Sequence, residues 1–241
     1  MKDFKAIPDE KTIQRASELN VLDVNGENVE FGSLFKDEKT VVVFIRHFFC
    51  GQYVEALAAV PHKLLSRGAT SIVVIGCGDY QPIANYAAST NFFGPIYTDP
   101  TRQLYKVLGM DVENLEKTPA SQEKKSYLTL STARNLAMSL WRGPIKHPSL
   151  IGKNGDISQL GGEFVFGPGN TCSFASRMQH TEDHVEVADL MSAVGIDCLL
   201  SQCSDSFSRI SACILKMTSL FEISCSTVLV NGCLISFVSK L

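Results

Sequence analysis

No Cys-x-x-Cys pair occurs among the eight cysteines of this 241-residue chain, and its five histidines show no ligand spacing with cysteine. That pattern argues against a zinc site. Basic charge is not in excess either: 22 Lys and Arg stand against 25 Asp and Glu, a net charge of −3. Electrostatics therefore gives no case for nucleic acid or an acidic membrane as a partner. The opening segment, MKDFKAIPDEKTIQR, is charged and lacks the apolar core of a secretory signal. The expectation is a reducing, cytoplasmic setting in which thiols stay free. Neither Gly76-Cys77-Gly78 nor Gly167-Pro168-Gly169 supplies the spacing or the Lys-Ser/Thr pair of a phosphate loop. No metal or other cofactor is expected. What the composition does support is a globular protein with a real core, at 45 % hydrophobic and 20 % charged residues.

The most informative stretch is Val41 to Gln52, VVVFIRHFFCGQ. Val41 to Ile45 are β-branched or aromatic without alternation, the signature of a strand buried on both faces. After Cys50, apolar Tyr53, Val54, Leu57, Ala58 and Val60 follow helical spacing. A cysteine between a central strand and a helix N-terminus sits where backbone N–H groups and the macrodipole favour an anion, here the thiolate. Lowering a thiol pKa from about 8.5 to about 7 raises the ionised fraction at neutral pH from a few per cent to about half. Arg46 and His47 add candidate positive potential, with a structural ion pair as the other reading of Arg46. Cys50 as an ordinary buried cysteine is the competing reading.

Around this stretch the pattern alternates strand and helix. Residues 1–18 read as a polar leader, with a short helix as an option. Val21–Val24, Asn25-Gly26 and Val29–Phe31 read as a hairpin. A strand over 40–46, a helix over about 50–66, a strand over 71–75, a helix over 80–90 and a strand over 95–98 follow. Asp99-Pro100 reads as the cap and first turn of a helix carrying Leu104, Tyr105 and Leu108. Leu128 to Trp141 reads as an amphipathic helix, and 162–166 with 171–176 as a second hairpin. Val185 to Val194 reads as a final helix. This order predicts one α/β domain over residues 19–198, a central mixed β-sheet flanked by helices.

Residues 199–241 differ: ten of these 43 residues are serine, four are cysteine and five are charged. Three readings stand for this Ser/Cys-rich extension: a disordered or non-evolved tail, a hairpin turning at Asn231-Gly232, and a membrane anchor. The anchor is the weakest, because uncharged Ile223–Val238 falls short of the about 20 residues a span needs.

Taken together, VVVFIRHFFC, IVVIGCG at 72–78, IYTDPTRQLYKVLGM at 96–110, SLWRGP at 139–144 and GGEFVFGPGN at 161–170 resemble the peroxiredoxin-like family. This is the AhpC/TSA antioxidant type, within the thioredoxin-like superfamily. The resemblance implies a thioredoxin-like fold with Cys50 at the attacking position, and a redox or antioxidant activity. Some family members reduce a prostaglandin-type endoperoxide. Three departures accompany it. Peroxiredoxins carry a proline seven residues and a Thr or Ser three residues before the cysteine, where this chain has Val43 and His47. Tyr53 stands where many relatives carry a second cysteine. Gly161-Gly162 occupies the place of the cis-proline that faces the active site in thioredoxins.

These readings converge on a thiol-dependent oxidoreductase in which Cys50 attacks a peroxide or a disulfide and Arg46 stabilises the developing negative oxygen. Without a neighbouring second thiol, glutathione or thioredoxin is the expected reductant. Cys77 and Cys172 are distant candidates for that role and read better as small buried hydrophobes. The alternatives are a catalytically inactive thioredoxin-like scaffold and a tailoring enzyme of specialised metabolism.

The domain boundary yields a first prediction. Deleting residues 199–241 is expected to leave a soluble protein with one cooperative unfolding transition, measured by circular dichroism on heating. Loss of cooperativity or insolubility of the shortened chain would show that the tail belongs to the fold.

Overall fold

Strand β3 (Lys39–Phe44) is the axis of a seven-stranded sheet. The computed structural model describes residues 3–48, 51–129 and 148–196, and the strand residues 229–230 and 233–234. The chain divides into two compact units, Met1–Cys198 and Leu199–Leu241. In the first, β1 (Asn20–Leu22), β2 (Asn28–Glu30), β4 (Thr70–Gly76), β5 (Ile96–Thr98), β6 (Gly162–Phe166) and β7 (Cys172–Arg177) join β3 in the order β2-β1-β5-β4-β3-β6-β7. β3, β4 and β5 are parallel neighbours, whereas β6 runs antiparallel to β3 and β7 antiparallel to β6. The sheet is therefore mixed, and helices cover both faces.

The unbroken apolar run in β3 follows from this double cover. Val41, Val43 and Ile45 point to one layer, with Tyr53, Val54 and Leu57 of α2 (Gly51–Ala58), Ile83 and Tyr86 of α4 (Ile83–Thr90) and Leu190 and Met191 of α6 (Val187–Ala193). Val42 and Phe44 point to the other, with Ile13 and Ala16 of α1 (Glu10–Ser17), Phe31 and Phe35 of a 3-10 turn, and Leu104 and Tyr105 of α5 (Gln103–Val107). Period-two alternation thus delivers every residue of the run to an apolar layer. On the second face, Phe31, Phe35, Phe44, Phe164 and Phe166 pack ring on ring, with centroid separations of 4.9–6.1 Å.

Several sequence expectations shift at the boundaries, each for a local reason. The helix expected over about 50–66 is two helices, α2 and α3 (His62–Arg67). Pro61 separates them: it has no N–H to donate and disfavours helical backbone at Val60, and itself is extended at φ −62°, ψ 122°. The helix expected at Asp99-Pro100 opens only at Gln103. The Asp99 carboxylate accepts from Leu104 N (2.8 Å) and Thr101 Oγ1 (2.7 Å), and Arg102 turns left-handed at φ 57°. Residues 1–18 hold more than a polar leader. Asp9 caps α1 by accepting from Thr12 N, and Ile13, Ala16 and Ser17 are buried. Ahead of α1, the buried guanidinium of Arg177 takes the Phe4 and Ala6 carbonyls (3.2 and 2.8 Å) and the Leu108 carbonyl (2.6 Å).

The helix expected over 128–141 lies outside the described residues from 130 on, Trp141 included. In the second unit, β8 (Leu229–Val230) pairs antiparallel with β9 (Cys233–Leu234) across Asn231-Gly232, the hairpin register among the three readings of the tail. Among the described residues, no helix is long and apolar enough to cross a membrane.

The Tyr105 hydroxyl, buried, lies 2.7 Å from the Ile45 carbonyl and 3.0 Å from that of Ile75, holding the carboxyl ends of β3 and β4 together. Tyr105→Phe is expected to cost about 1–2 kcal/mol, because it removes a buried hydrogen-bond donor from the ends of two strands. Urea unfolding checks this, and an unchanged midpoint would show that the hydroxyl ties nothing.

Candidate active site at the carboxyl end of strand β3

Past Phe44 the chain leaves the sheet under close control. Ile45 N donates to Ile75 O at 2.9 Å, and Phe48 N donates to Asn154 O at 3.0 Å. The Phe48 ring lies over Gly76, where a Cβ would come within 2.5 Å of it, and meets Tyr86 edge-on at 5.1 Å. Glycine at 76 therefore lets the ring seat. Gly51 opens α2, as expected for a helix starting within a residue or two of Cys50, and Tyr53, Val54 and Leu57 are buried. Phe49 and Cys50 themselves lie outside the described residues.

Arg46 is half-buried at this end of the sheet. Its Nη2 donates to the Ile157 carbonyl at 2.7 Å and its Nη1 to that of Thr181 at 3.3 Å, so its cationic head bridges two loops. His47 is buried. Cys77, at the end of β4, donates its S–H to the Arg46 carbonyl at 2.8 Å and is enclosed by Gly155. Arg46, His47 and Cys77 thus share one end of the sheet. Cys172 does not: it pairs with Phe166, which pairs with Thr40, at the opposite end of β3. Burial pushes its thiol up to about 11, and it donates to Phe174 O at 3.1 Å.

Gly161, where thioredoxins place proline, passes against β3 so closely that a Cβ there would lie 1.8 Å from the Phe44 carbonyl. Glycine is the residue this approach admits. An open groove of about 580 Å³, lined by Leu57, Val60, Leu65, Ile72 and Phe92, lies instead at the start of β4, away from Arg46. Among the described residues, no group of three His, Cys, Asp or Glu converges as a metal site.

One constellation escaped the sequence reading. Glu163 of β6 and His184, in the loop before α6, are buried and hydrogen-bonded through Oε1 and Nδ1. The His184 ring stacks on Tyr53 of α2, 4.2 Å between centroids and 4° from parallel. Tyr127 packs edge-on against Tyr53 at 4.9 Å, accepts from His184 N (3.1 Å) and donates to Glu182 O (2.8 Å). Burial pushes the Glu163 carboxyl up, while the attraction and hydrogen bond of His184 pull it back. Burial, reinforced by the charge of Glu163, raises both tyrosines. The available signal was a lone acid inside the apolar strand GEFVF; its partner, 21 residues on, left no trace in the spacing.

The chain is similar in sequence to known proteins. Residues 56–180 match the family described as AhpC/TSA antioxidant enzyme. Peroxiredoxin-like 2C of Homo sapiens is 37 % identical over 184 residues, covering 75 % of this chain and 79 % of the relative. Prostamide/prostaglandin F synthase of Aquarana catesbeiana is 30 % identical over 179 residues, 72 % of this chain and 82 % of that one. Among solved structures, peroxidoxin BcpB of Mycobacterium tuberculosis superposes with a TM-score of 0.47 at 13 % identity, covering 74 % of this chain and 90 % of its own.

With its thiol pushed up to about 11 by burial, Cys172 stays in the unreactive thiol form near neutral pH. Iodoacetamide at that pH is expected to leave Cys172 unlabelled in the folded protein and to label it after denaturation, read by peptide mass. Labelling of the folded protein at the denatured rate would show an exposed, ordinary thiol.

Proposed function

This chain belongs to the AhpC/TSA family of peroxiredoxin-like proteins, and we propose that it is a thiol-dependent oxidoreductase with Cys50 as the attacking thiolate. One observation supports the reading: α2 begins at Gly51, the residue after Cys50 in the sequence, and the first N–H groups of a helix have no partner within it and favour an anion. The positive end of the helix and the guanidinium of Arg46 favour an anion at this end of the sheet.

The step balances with a hydroperoxide as oxidant. The Cys50 thiolate attacks one oxygen of the O–O bond and becomes a sulfenic acid; the other oxygen leaves as alkoxide and takes a proton to give the alcohol. A first glutathione thiol then forms a mixed disulfide and releases water. A second releases the Cys50 thiol and glutathione disulfide. Thioredoxin can serve the same two-electron role, and a disulfide substrate would enter at the mixed-disulfide stage. The prostaglandin chemistry in the name of the Aquarana catesbeiana relative also centres on an oxygenated lipid, and the O–O bond of an endoperoxide is open to the same attack. A reducing cytoplasm is the setting in which this cycle turns over.

A second reading is an inactive thioredoxin-like scaffold that binds a protein. Its support is position 47, where a buried histidine stands in place of the peroxide-orienting hydroxyl of peroxiredoxins.

Peroxide consumption with glutathione as reductant separates the two. The intact protein is expected to turn over, and Cys50→Ser to fall to the level of glutathione alone. Equal rates in both proteins would remove Cys50 from the mechanism and leave the scaffold.

A further inference from the structure

Glu163 occupies a place that stability alone does not explain. It lies opposite Val43 in the β3–β6 register and, by the alternation of β6, on the same side as Val165, in the layer of Val41, Ile45, Val54 and Leu57. A buried ion pair is often matched or bettered in stability by apolar residues of similar volume. Moreover the pair leaves polar atoms unsatisfied. His184 Nε2 and the Tyr53 hydroxyl are buried without a hydrogen-bond partner among the described residues, and a buried polar group left so is destabilising. Orphans of this kind call for a role other than packing.

The contacts of the pair indicate where that role lies. The carboxylate comes from the sheet, the imidazole from the 179–186 loop, and the ring of His184 meets α2 at Tyr53, in the first turn. Tyr53 is the third residue after Cys50. We propose that Glu163 and His184 are positioning residues for the Cys50 thiol, acting through the Tyr53 ring on the start of α2. This rests on the reading of Cys50 as the attacking thiol.

The sheet and the loop are joined here by the hydrogen bond between Glu163 Oε1 and His184 Nδ1. The imidazole ring lies flat against Tyr53 in the first turn of α2, so the pair fixes where that turn, with its unpaired N–H groups, begins. The other ionisable groups around the pair are Tyr53 from α2, Tyr127 from the segment before residue 130, and Asp183 and Glu186 from the loop. Arg46 reaches the same loop from the end of β3 at the Thr181 carbonyl. Asp183 and Glu186 are engaged elsewhere: Asp183 accepts from Gln179 N at 2.9 Å, and Glu186 accepts from Ser126 N at 2.8 Å and from Ser126 Oγ. The pair meets the first turn of α2 through the His184 ring, face to face with Tyr53.

The test is the pH profile of Cys50 alkylation by iodoacetamide, followed by peptide mass in the full chain. Three proteins are compared: wild type, the shape-preserving double variant Glu163→Gln/His184→Phe, and Tyr53→Leu. The double variant keeps a ring beneath α2 and removes the acid–imidazole hydrogen bond; Tyr53→Leu keeps the pair and removes the ring that transmits it. Both are expected to move the inflection upward by about one pH unit, making alkylation about tenfold slower at pH values below it. Unaltered profiles in the variants would assign the pair to packing and overturn the proposal. Should the double variant fail to fold, Tyr53→Leu alone decides by the same criterion. A wild-type inflection at the ordinary thiol value, still displaced upward in the variants, would sink the catalytic reading of Cys50 and keep the positioning. A thiol inert at every pH would overturn both.

Discussion

Burial of β3 on both faces is the constraint on which the rest of the molecule depends. A strand with apolar layers above and below needs hydrogen-bonded neighbours on both edges, because an unpaired backbone group in that environment has no water to meet. β4 and β6 satisfy those edges, one parallel and one antiparallel. The parallel partner demands a crossover, and α2 with α3 is that crossover, which sets a helix start beyond the carboxyl end of β3. The location of the candidate site is a consequence of how this strand is covered.

At that end of the sheet the structure spends polar groups on holding loops rather than on exposing them. Arg46 clasps the carbonyls of Ile157 and Thr181, Cys77 gives its hydrogen to the Arg46 carbonyl, and Tyr105 spans the ends of β3 and β4. A cysteine serving as donor to a carbonyl is a thiol rather than a thiolate, which separates the role of Cys77 from that proposed for Cys50. The Glu163–His184 pair belongs to the same economy. It joins a strand, a loop and a helix through one hydrogen bond and one ring stack, in a layer otherwise apolar.

Legibility varied with the range of the interaction. The unalternated run Val41–Ile45, the β1–β2 turn at Asn25-Gly26 and the β6–β7 hairpin are carried by residues adjacent in the chain, and all three are present. Helix limits were less legible, because single residues decide them. Pro61 divides one expected helix in two, and the Asp99 carboxylate prefers Leu104 N and so delays α5 to Gln103. Membership of α1 in the fold was also hidden: Ile13 and Ala16 look unremarkable until the second face of the sheet supplies their layer. The departures at Val43, His47, Tyr53 and Gly161 were visible as letters. Only their surroundings gave two of them a physical meaning: Gly161 lies against the Phe44 carbonyl, and Tyr53 is stacked on His184.

By itself the sequence determined the alternation of strand and helix, the burial of β3 on both faces and the place of Cys50 between a central strand and a helix, since periodicity and turn chemistry act over a few residues. Tertiary structure alone decided that Glu163 meets His184, that His184 lies under Tyr53, that Arg46 bridges Ile157 and Thr181, and that Cys77 and Cys172 sit at opposite ends of the sheet. Those partners are separated by tens of residues along the chain. Nothing in local spacing encodes such pairs; they arise because strand register and the covering of two apolar faces leave each side chain one neighbourhood to enter.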